Sequence, residues 1–285
     1  MSVPPATVER TSGDPLIVHV SDIHGYLTDA RSALLAVGDS GQYPDLVRAD
    51  ESDRLHWADN DYVLVVNGDV IDRGPANEEC LEMVWRLQEE APPGRVRYQL
   101  GNHELAILLP SFVRWPGAYS TGLDAADRRE FLRRASEGAV TAAFEGYQYR
   151  YSHSGQNEPF DVTRVNDVVR NAASELLAVD GDDRTVQKRL ERRHGRVFAL
   201  GSDGGRGPDA GLCWLDFTHL DPSALPQIVG HTKRVDPVRN GNVVCGNIIR
   251  MNHRSAGGEG VLIESADSLE VVRRKPDGSV SVSSV

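Results

Sequence analysis

The feature that most constrains this chain is a unit that occurs three times in its first third. Two units open with a short apolar run rich in β-branched residues and the third with a run of alternating polar and apolar residues, and each is cut off by a polar, glycine-containing segment. Leu16–Val20, broken only by His19, runs into Ser21-Asp22-Ile23-His24-Gly25. Tyr62–Val66 leads to Gly68-Asp69-Val70-Ile71-Asp72-Arg73-Gly74, and Arg95–Leu100 to Gly101-Asn102-His103-Glu104. Short apolar runs and short alternating runs both read as strands. Between them, Thr28–Val37 and Asn77–Glu90 carry apolar residues at helical spacing, with Cys80, Met83, Val84 and Leu87 on one face of the second. Strand, helix, strand, helix, strand implies parallel pairing through right-handed crossovers. In such sheets function gathers just past the carboxyl ends of the strands, which is where the three polar segments fall.

Residues 111–145 and 165–197 read as helical and rich in Arg and Glu, the first as a cap insertion. Beyond residue 146, strand-like runs at Tyr147–Ser152, Val197–Leu200, Gln227–Val229, Val243–Cys245, Gly260–Glu264 and Leu269–Arg273 predict a second sheet. Two of these lead into further polar segments, Ser152-His153-Ser154-Gly155 and Gly230-His231-Thr232. No linker or repeat divides the chain, so residues 15–273 are expected to form a single domain, with 1–14 and 274–285 as loosely ordered tails.

Composition narrows the function. With 31 basic against 42 acidic residues and a net charge of -11, the chain is a poor candidate for binding a nucleic-acid backbone. Cys80, Cys213 and Cys245 form no CxxC pair, which argues against a disulfide framework or a thiolate zinc site and predicts buried free thiols. No apolar run approaches the roughly 18 residues of a membrane span, and Met1–Arg10 lacks the order of a signal peptide. A cytoplasmic location without a membrane partner is therefore expected.

Five strand ends thus offer carboxylates, imidazoles and an amide oxygen. Mixed oxygen and nitrogen donors without thiolate suit Mn²⁺, Fe or Zn²⁺. Each motif alone has a plain structural explanation: a turn with a solvated ion pair, a helix cap, or a satisfied buried histidine. Their recurrence at successive strand ends, with Asp22, Asp69, Asn102, His153 and His231 spaced 47, 33, 51 and 78 residues apart, argues against independent accidents.

Together the DxHG, GDxxDRG and GNHE motifs and the two later histidines resemble the calcineurin-like metallophosphoesterases, and the phosphoprotein phosphatase branch in particular. That resemblance implies an α/β protein, a four-layer α/β/β/α sandwich with two central mixed sheets and a helical cap insertion. It also implies two divalent metal ions, Mn²⁺ foremost, with Asp22 and His24 on the first, Asp69 bridging, and Asn102, His153 and His231 on the second. The implied reaction is phosphomonoester hydrolysis by direct attack of a metal-bridging hydroxide. His103 would protonate the leaving alkoxide, held as an acid by Asp72, while Arg73 grips phosphoryl oxygens with its planar fork. Asn102 would also face the substrate, Arg206 is the nearest candidate for a second phosphate-binding arginine, and Glu104 is expected to be structural. The chain departs from the family pattern at Ser21 and Ser154, where glycine is usual, with Ser21 expected to affect the turn and not a ligand. Lys233 stands where broader members carry another histidine, and Asp216 stands where some bacterial relatives show an arginine.

Other chemistries fit less well. Cys245 and Arg250 have four residues between them where a cysteine phosphatase needs five. His103-Glu104 opens an HExxH pattern that Ile107 ends, and Gly204–Gly207 lacks the flanking strand and helix of a dinucleotide fingerprint. The expected substrate is phosphoserine or phosphothreonine in a protein. A dinucleoside tetraphosphate is the alternative, favoured if Trp115, Tyr119 or Trp214 forms an aromatic clamp. The reading from another class is a non-catalytic metal-binding regulatory module, against which the retention of His103, Asp72 and Asp69 counts. Oligomeric state is not legible.

Overall fold

The computed structural model describes residues 4–285. In chain order, β1 (Leu16–Val20), α1 (Leu27–Asp39), β2 (Val47–Ala49), β3 (Leu55–Trp57), β4 (Tyr62–Val66), α2 (Asn77–Glu90), β5 (Val96–Gln99) and α3 (Asn102–Leu108) make the first third. Next come α4 (Tyr119–Gly122), α5 (Ala125–Ser136), β6 (Val140–Thr141), β7 (Ala143–Glu145), β8 (Arg150–Ser152), α6 (Val162–Leu177), α7 (Arg184–Arg193) and α8 (Gly195–Phe198). The last third holds β9 (Gln227–Val229), β10 (Val238–Asn240), β11 (Val243–Cys245), α9 (Ile249–Asn252), β12 (Gly260–Glu264), β13 (Leu269–Arg274) and β14 (Val280–Ser284).

The strands build a seven-stranded sheet ordered β14-β13-β12-β1-β4-β5-β6 and a five-stranded sheet ordered β10-β11-β9-β8-β7, with β2 and β3 as a separate hairpin. β1, β4, β5 and β6 are mutually parallel, as the strand and helix alternation requires. Side chains alternate across the large sheet. Ile17, Val63 and Val65 face Phe144, Tyr151, Ile228 and Val244 of the second sheet, while Val18, Val20, Leu64 and Val66 pack with the helices. Two stacked mixed sheets with helices outside are the layers of the expected sandwich.

Four expectations need correction. β12 and β13 belong to the first sheet, because Gly260–Glu264 returns antiparallel beside β1 and the next two strands follow as a meander. The 111–145 segment is helical only in part: after Gly138 the run Val140–Glu145 is β-branched and aromatic, and it passes from the first sheet (β6) to the second (β7). Asn166 secures that passage, its Oδ1 accepting from the Ala142 and Ala143 backbone N–H groups at 2.9 Å each. Val197–Leu200 is not a strand: Gly195–Phe198 forms α8, since a short apolar run alone does not separate strand from helix.

The fourth correction concerns the tails. In 274–285, Val280 and Val282 alternate with serines, and β14 pairs with β13 while both valines pack on the core. In 1–14, Val8 is buried and Val8–Arg10 forms a 3-10 turn; residues 1–3 lie outside the described residues.

Candidate metal centre

The carboxyl ends of β1, β4 and β5 meet those of β8 and β9 at one edge of the sandwich. Asn67, just after β4, ties the two sheets there: its amide donates to Ser152 O at 3.1 Å and to Ile228 O at 3.4 Å. The loops after β1 and β4 brace each other through Asp22 N to Gly68 O (3.1 Å) and His24 N to Asp69 O (2.8 Å). Among the described residues nine non-glycine residues have positive φ, and six of them are Asp22, His24, Asp69, Asp72, Arg73 and His231. Backbone strain is thus concentrated where the polar side chains converge, as at functional sites generally. Gly68, at φ 80°, lies so close to its neighbours that a Cβ would come within 2.7 Å of both Gly101 Cα and His153 Nδ1.

Two donor triads share Asp69. His24, Asp69 and His103 make one, and Asp69, His153 and His231 the other, all buried. Asp69 Oδ2 is 3.5 Å from His24 Nε2 and 3.4 Å from His153 Nε2. Asp22 Oδ1 is 3.7 Å from His24 Nε2, and Asn102 Oδ1 is 3.2 Å from His153 Nε2 and 3.0 Å from His231 Nδ1.

The histidines are set up as donors. His24 Nδ1 lies 3.0 Å from Ile71 O and His153 Nδ1 2.9 Å from Asn67 O, so each N–H is directed at a backbone carbonyl and each Nε2 is aimed inward. Fixing the far nitrogen in this way is how proteins orient metal-ligating imidazoles. His153 Nε2 and His231 Nδ1 face each other at 3.3 Å beside the Asn102 oxygen, three potential ligand atoms gathered around one point. The residues present therefore fit two divalent ions.

Electrostatics point the same way. Burial pushes Asp22 up, to about 6. Burial opposes ionisation of Asp69 as well, but the imidazoles of His153 and His103 hold it well below the ordinary carboxylate range. His153 is disfavoured as a cation by burial, yet the Asp69 and Asp22 carboxylates outweigh that and lift it to about 9. Burial holds His24 and His231 well below the usual histidine range. Two buried carboxylates that favour a positive charge beside them match the hard-cation donors of the site.

Beside the triads stands a second device. His103 Nδ1 is 2.5 Å from Asp72 Oδ2, leaving Nε2 toward the centre, 4.0 Å from Asp69 Oδ2. Burial raises and the His103 bond lowers the Asp72 carboxyl, with a net fall below the ordinary value. Arg73 Nη2 is 3.3 Å from His103 Nε2. Glu104, expected to be structural, takes four donors: Asp69 N (2.8 Å), Gly101 N (2.9 Å), Val70 N (2.8 Å) and Tyr98 OH (2.9 Å).

Several contacts escaped the sequence. Ser120 of α4 donates to Asp72 through its N–H at 2.8 Å and its hydroxyl at 2.7 Å. Trp115 stacks on the His103 ring with centroids 4.3 Å apart and planes 12° apart, and Trp214 lies 5.9 Å from Trp115. Tyr119 faces elsewhere, lining a separate cavity of about 140 Å³ with Trp85 and Phe131. Ser21 touches a candidate ligand after all, its hydroxyl donating to the Asp22 carboxylate. Arg206 is ion-paired to Asp216 at 3.3 Å and nearly half exposed, on the His231 side of the centre. Cys80, Cys213 and Cys245 are buried and free.

Two stacked mixed sheets that converge hard-metal donors at the carboxyl ends of their strands, with a carboxylate-held imidazole alongside, define a metallohydrolase fold. Residues 15–223 match the calcineurin-like phosphoesterase family, and the chain belongs to it. Among solved structures it is similar to a cold-active protein-tyrosine phosphatase of a psychrophilic Shewanella species, with TM-score 0.66 and 18% identity over 98% of this chain and 82% of that one. It is also similar to a Saccharomyces cerevisiae protein serine/threonine phosphatase related to human phosphatase PP5, with TM-score 0.51 and 13% identity over 99% and 84%. No curated protein matches the chain by sequence. No helix among the described residues is long and apolar enough to cross a membrane.

Proposed function

We propose that the chain hydrolyses phosphomonoesters, with phosphoserine and phosphothreonine in proteins as its substrates and Mn²⁺ as its metal, in the cytoplasm. The observation that carries this reading is one carboxylate, Asp69, within reach of His24 on one side and of His153 and His231 on the other, next to the Asp72–His103 pair. Asp22, His24 and Asp69 would hold one ion, and Asp69, Asn102, His153 and His231 the other. Bound there, two divalent ions acidify water and stabilise the entering and leaving oxygens of an in-line displacement.

The remaining work falls to the chain's own groups. Arg73, with no carboxylate within 4 Å among the described residues, presents a free guanidinium fork to phosphoryl oxygens. His103 directs Nε2 at the centre and would give its proton to the departing alkoxide. Asp72 holds Nδ1–H, fixes the tautomer and stabilises the imidazolium. Trp115 lies over the far face of His103 and keeps water from it.

A second reading has its own support. Trp115 is half-buried beside Arg73 and Trp214, so an aromatic surface adjoins the centre and a base of a dinucleoside polyphosphate would find a stacking partner.

Turnover with Mn²⁺ should be compared on phosphoserine, phosphothreonine and phosphotyrosine peptides, diadenosine tetraphosphate and an aryl phosphate. The Asp69→Asn protein serves as blank. Highest kcat/KM on the phosphoserine or phosphothreonine peptide is expected, and preference for the nucleotide would move the assignment to the second reading. Absence of metal-dependent turnover on every substrate would leave a regulatory metal-binding module.

A further inference from the structure

Arg250 sits on the short helix α9, which is pinned against the loop after β1. Asn252 donates to Val235 O (2.9 Å), Ile248 O (2.6 Å) and Gly258 O (3.0 Å), and His253 stacks on Tyr26 with centroids 3.9 Å apart. With its backbone so fixed, Arg250 sends its half-buried side chain to the centre, where Nη1 lies 2.8 Å from His24 Nε2. That nitrogen is the inward donor of His24, because Nδ1 is directed at Ile71 O. A guanidinium therefore stands where the first triad would hold its cation.

The pairing of the arginines around the centre is unequal. Arg206 is matched by Asp216. Arg73 and Arg250 have no carboxylate within 4 Å among the described residues, and each instead meets the Nε2 of a histidine, His103 and His24, whose rings are 4.8 Å apart. An exposed Arg73 and a half-buried Arg250 thus bring two planar forks, neither ion-paired within 4 Å among the described residues, to neighbouring histidines of the centre, the donor geometry that a tetrahedral oxyanion takes.

We propose that Arg250 is a second phosphoryl-binding arginine opposite Arg73, and that its guanidinium and a metal would compete for the His24 Nε2 nitrogen. This rests on the two-metal reading of the centre. Were a metal held by the His24 nitrogen, the guanidinium that lies 2.8 Å from it would have to turn away. The flexible side chain would allow that on a fixed helix, leaving the fork free for a phosphoryl oxygen. The role of Cys245, five residues earlier, is unrelated: its buried thiol, pushed up to about 12 by burial, is no nucleophile.

Calorimetry on the intact protein tests the proposal with two probes, Mn²⁺ on the metal-free form and inorganic phosphate on the Mn²⁺-loaded form. Arg250→Gln is expected to bind phosphate about ten- to a hundredfold more weakly, the loss of a charge-assisted hydrogen bond, while binding the first Mn²⁺ as tightly as the parent or more so. Arg250→Lys, which keeps the charge without the fork, should fall between them, and it stands in if Arg250→Gln fails to fold. Phosphate affinity within twofold of the parent in both variants would overturn the proposal, as would failure of the parent to bind phosphate. Weaker Mn²⁺ binding by Arg250→Gln would also overturn it by showing a structural prop. Arg250-dependent phosphate binding without turnover of any phosphoester would instead count against the proposed function and leave this inference standing.

Discussion

Glu104 is the residue on which the geometry of the centre most depends without facing it. It sits at the start of α3, wholly buried, and its two oxygens take N–H groups from both the β4 loop and the turn before α3. Burial and the nearby Asp69 charge push its carboxyl up, while the four donors act against that. An amide at this position keeps one acceptor and turns an NH₂ toward backbone N–H groups, leaving buried donors unpaired. Glu104→Gln should therefore lower unfolding stability by about 2–4 kcal/mol and weaken Mn²⁺ affinity together. A denaturant midpoint and a metal titration check both, and loss of stability with unchanged metal affinity would show that the loops hold their shape without it. The sequence marked the GNHE run, but nothing in its spacing showed that the glutamate braces Asp69, a residue from a different strand end.

At the scale of elements, the cap insertion is tied to the chemistry through two residues. α4 delivers Ser120 to both oxygens of Asp72, and the turn before it delivers Trp115 to the face of His103. The insertion thus helps to hold the imidazole in its tautomer and orientation as well as covering it. Ser120→Ala removes the hydroxyl bond and keeps the backbone one, so kcat on an alkyl phosphate should fall about three- to tenfold with Mn²⁺ affinity unchanged. An aryl phosphate, whose leaving group needs little protonation, should be affected less. Equal losses on the two substrates would mean that Ser120 acts on something other than the acid. The strands around the cap show why boundaries are read less well than elements. Val140–Glu145 joins a helical region in sequence, yet its residues change from helical to β-type within a few positions after Gly138.

For the whole molecule, the interface between the two sheets is both the core and the support of the centre. His19 lies in it, fully buried on the same face of β1 as Ile17, with Nε2 accepting from the Asn67 amide at 3.1 Å. Burial lowers its pKa from 6.5 to about 3, so the folded chain keeps it neutral. Between these values the unfolded chain binds a proton that the folded chain does not. The stability that neutral His19 confers is fully present above 6.5 and is lost as pH falls toward 3. His19→Gln should make the fall of unfolding free energy with pH shallower in that window, by at most about 1.4 kcal/mol per pH unit. Urea midpoints measured at several pH values for parent and variant test this, and parallel slopes would mean that His19 is protonated in the fold.

What the sequence by itself determined was local. Leu16–Val20, Tyr62–Val66, Gln227–Val229, Val243–Cys245 and Gly260–Glu264 are strands with the expected ends, because a short β-branched run bounded by polar residues carries its own signal. The candidate donor residues that converge at the centre were marked for the same reason, each lying in a motif beside its strand. Tertiary structure alone decided which sheet took β12 to β14, which nitrogen of each histidine faces inward, that Arg206 is paired with Asp216 and that Arg250 has no carboxylate within 4 Å among the described residues. Those outcomes rest on contacts between distant parts of the chain: Arg250 meets His24 across 226 residues. Periodicity and motif report a residue's neighbours along the chain, whereas charge pairing and imidazole orientation are set by whatever packing brings across from another strand.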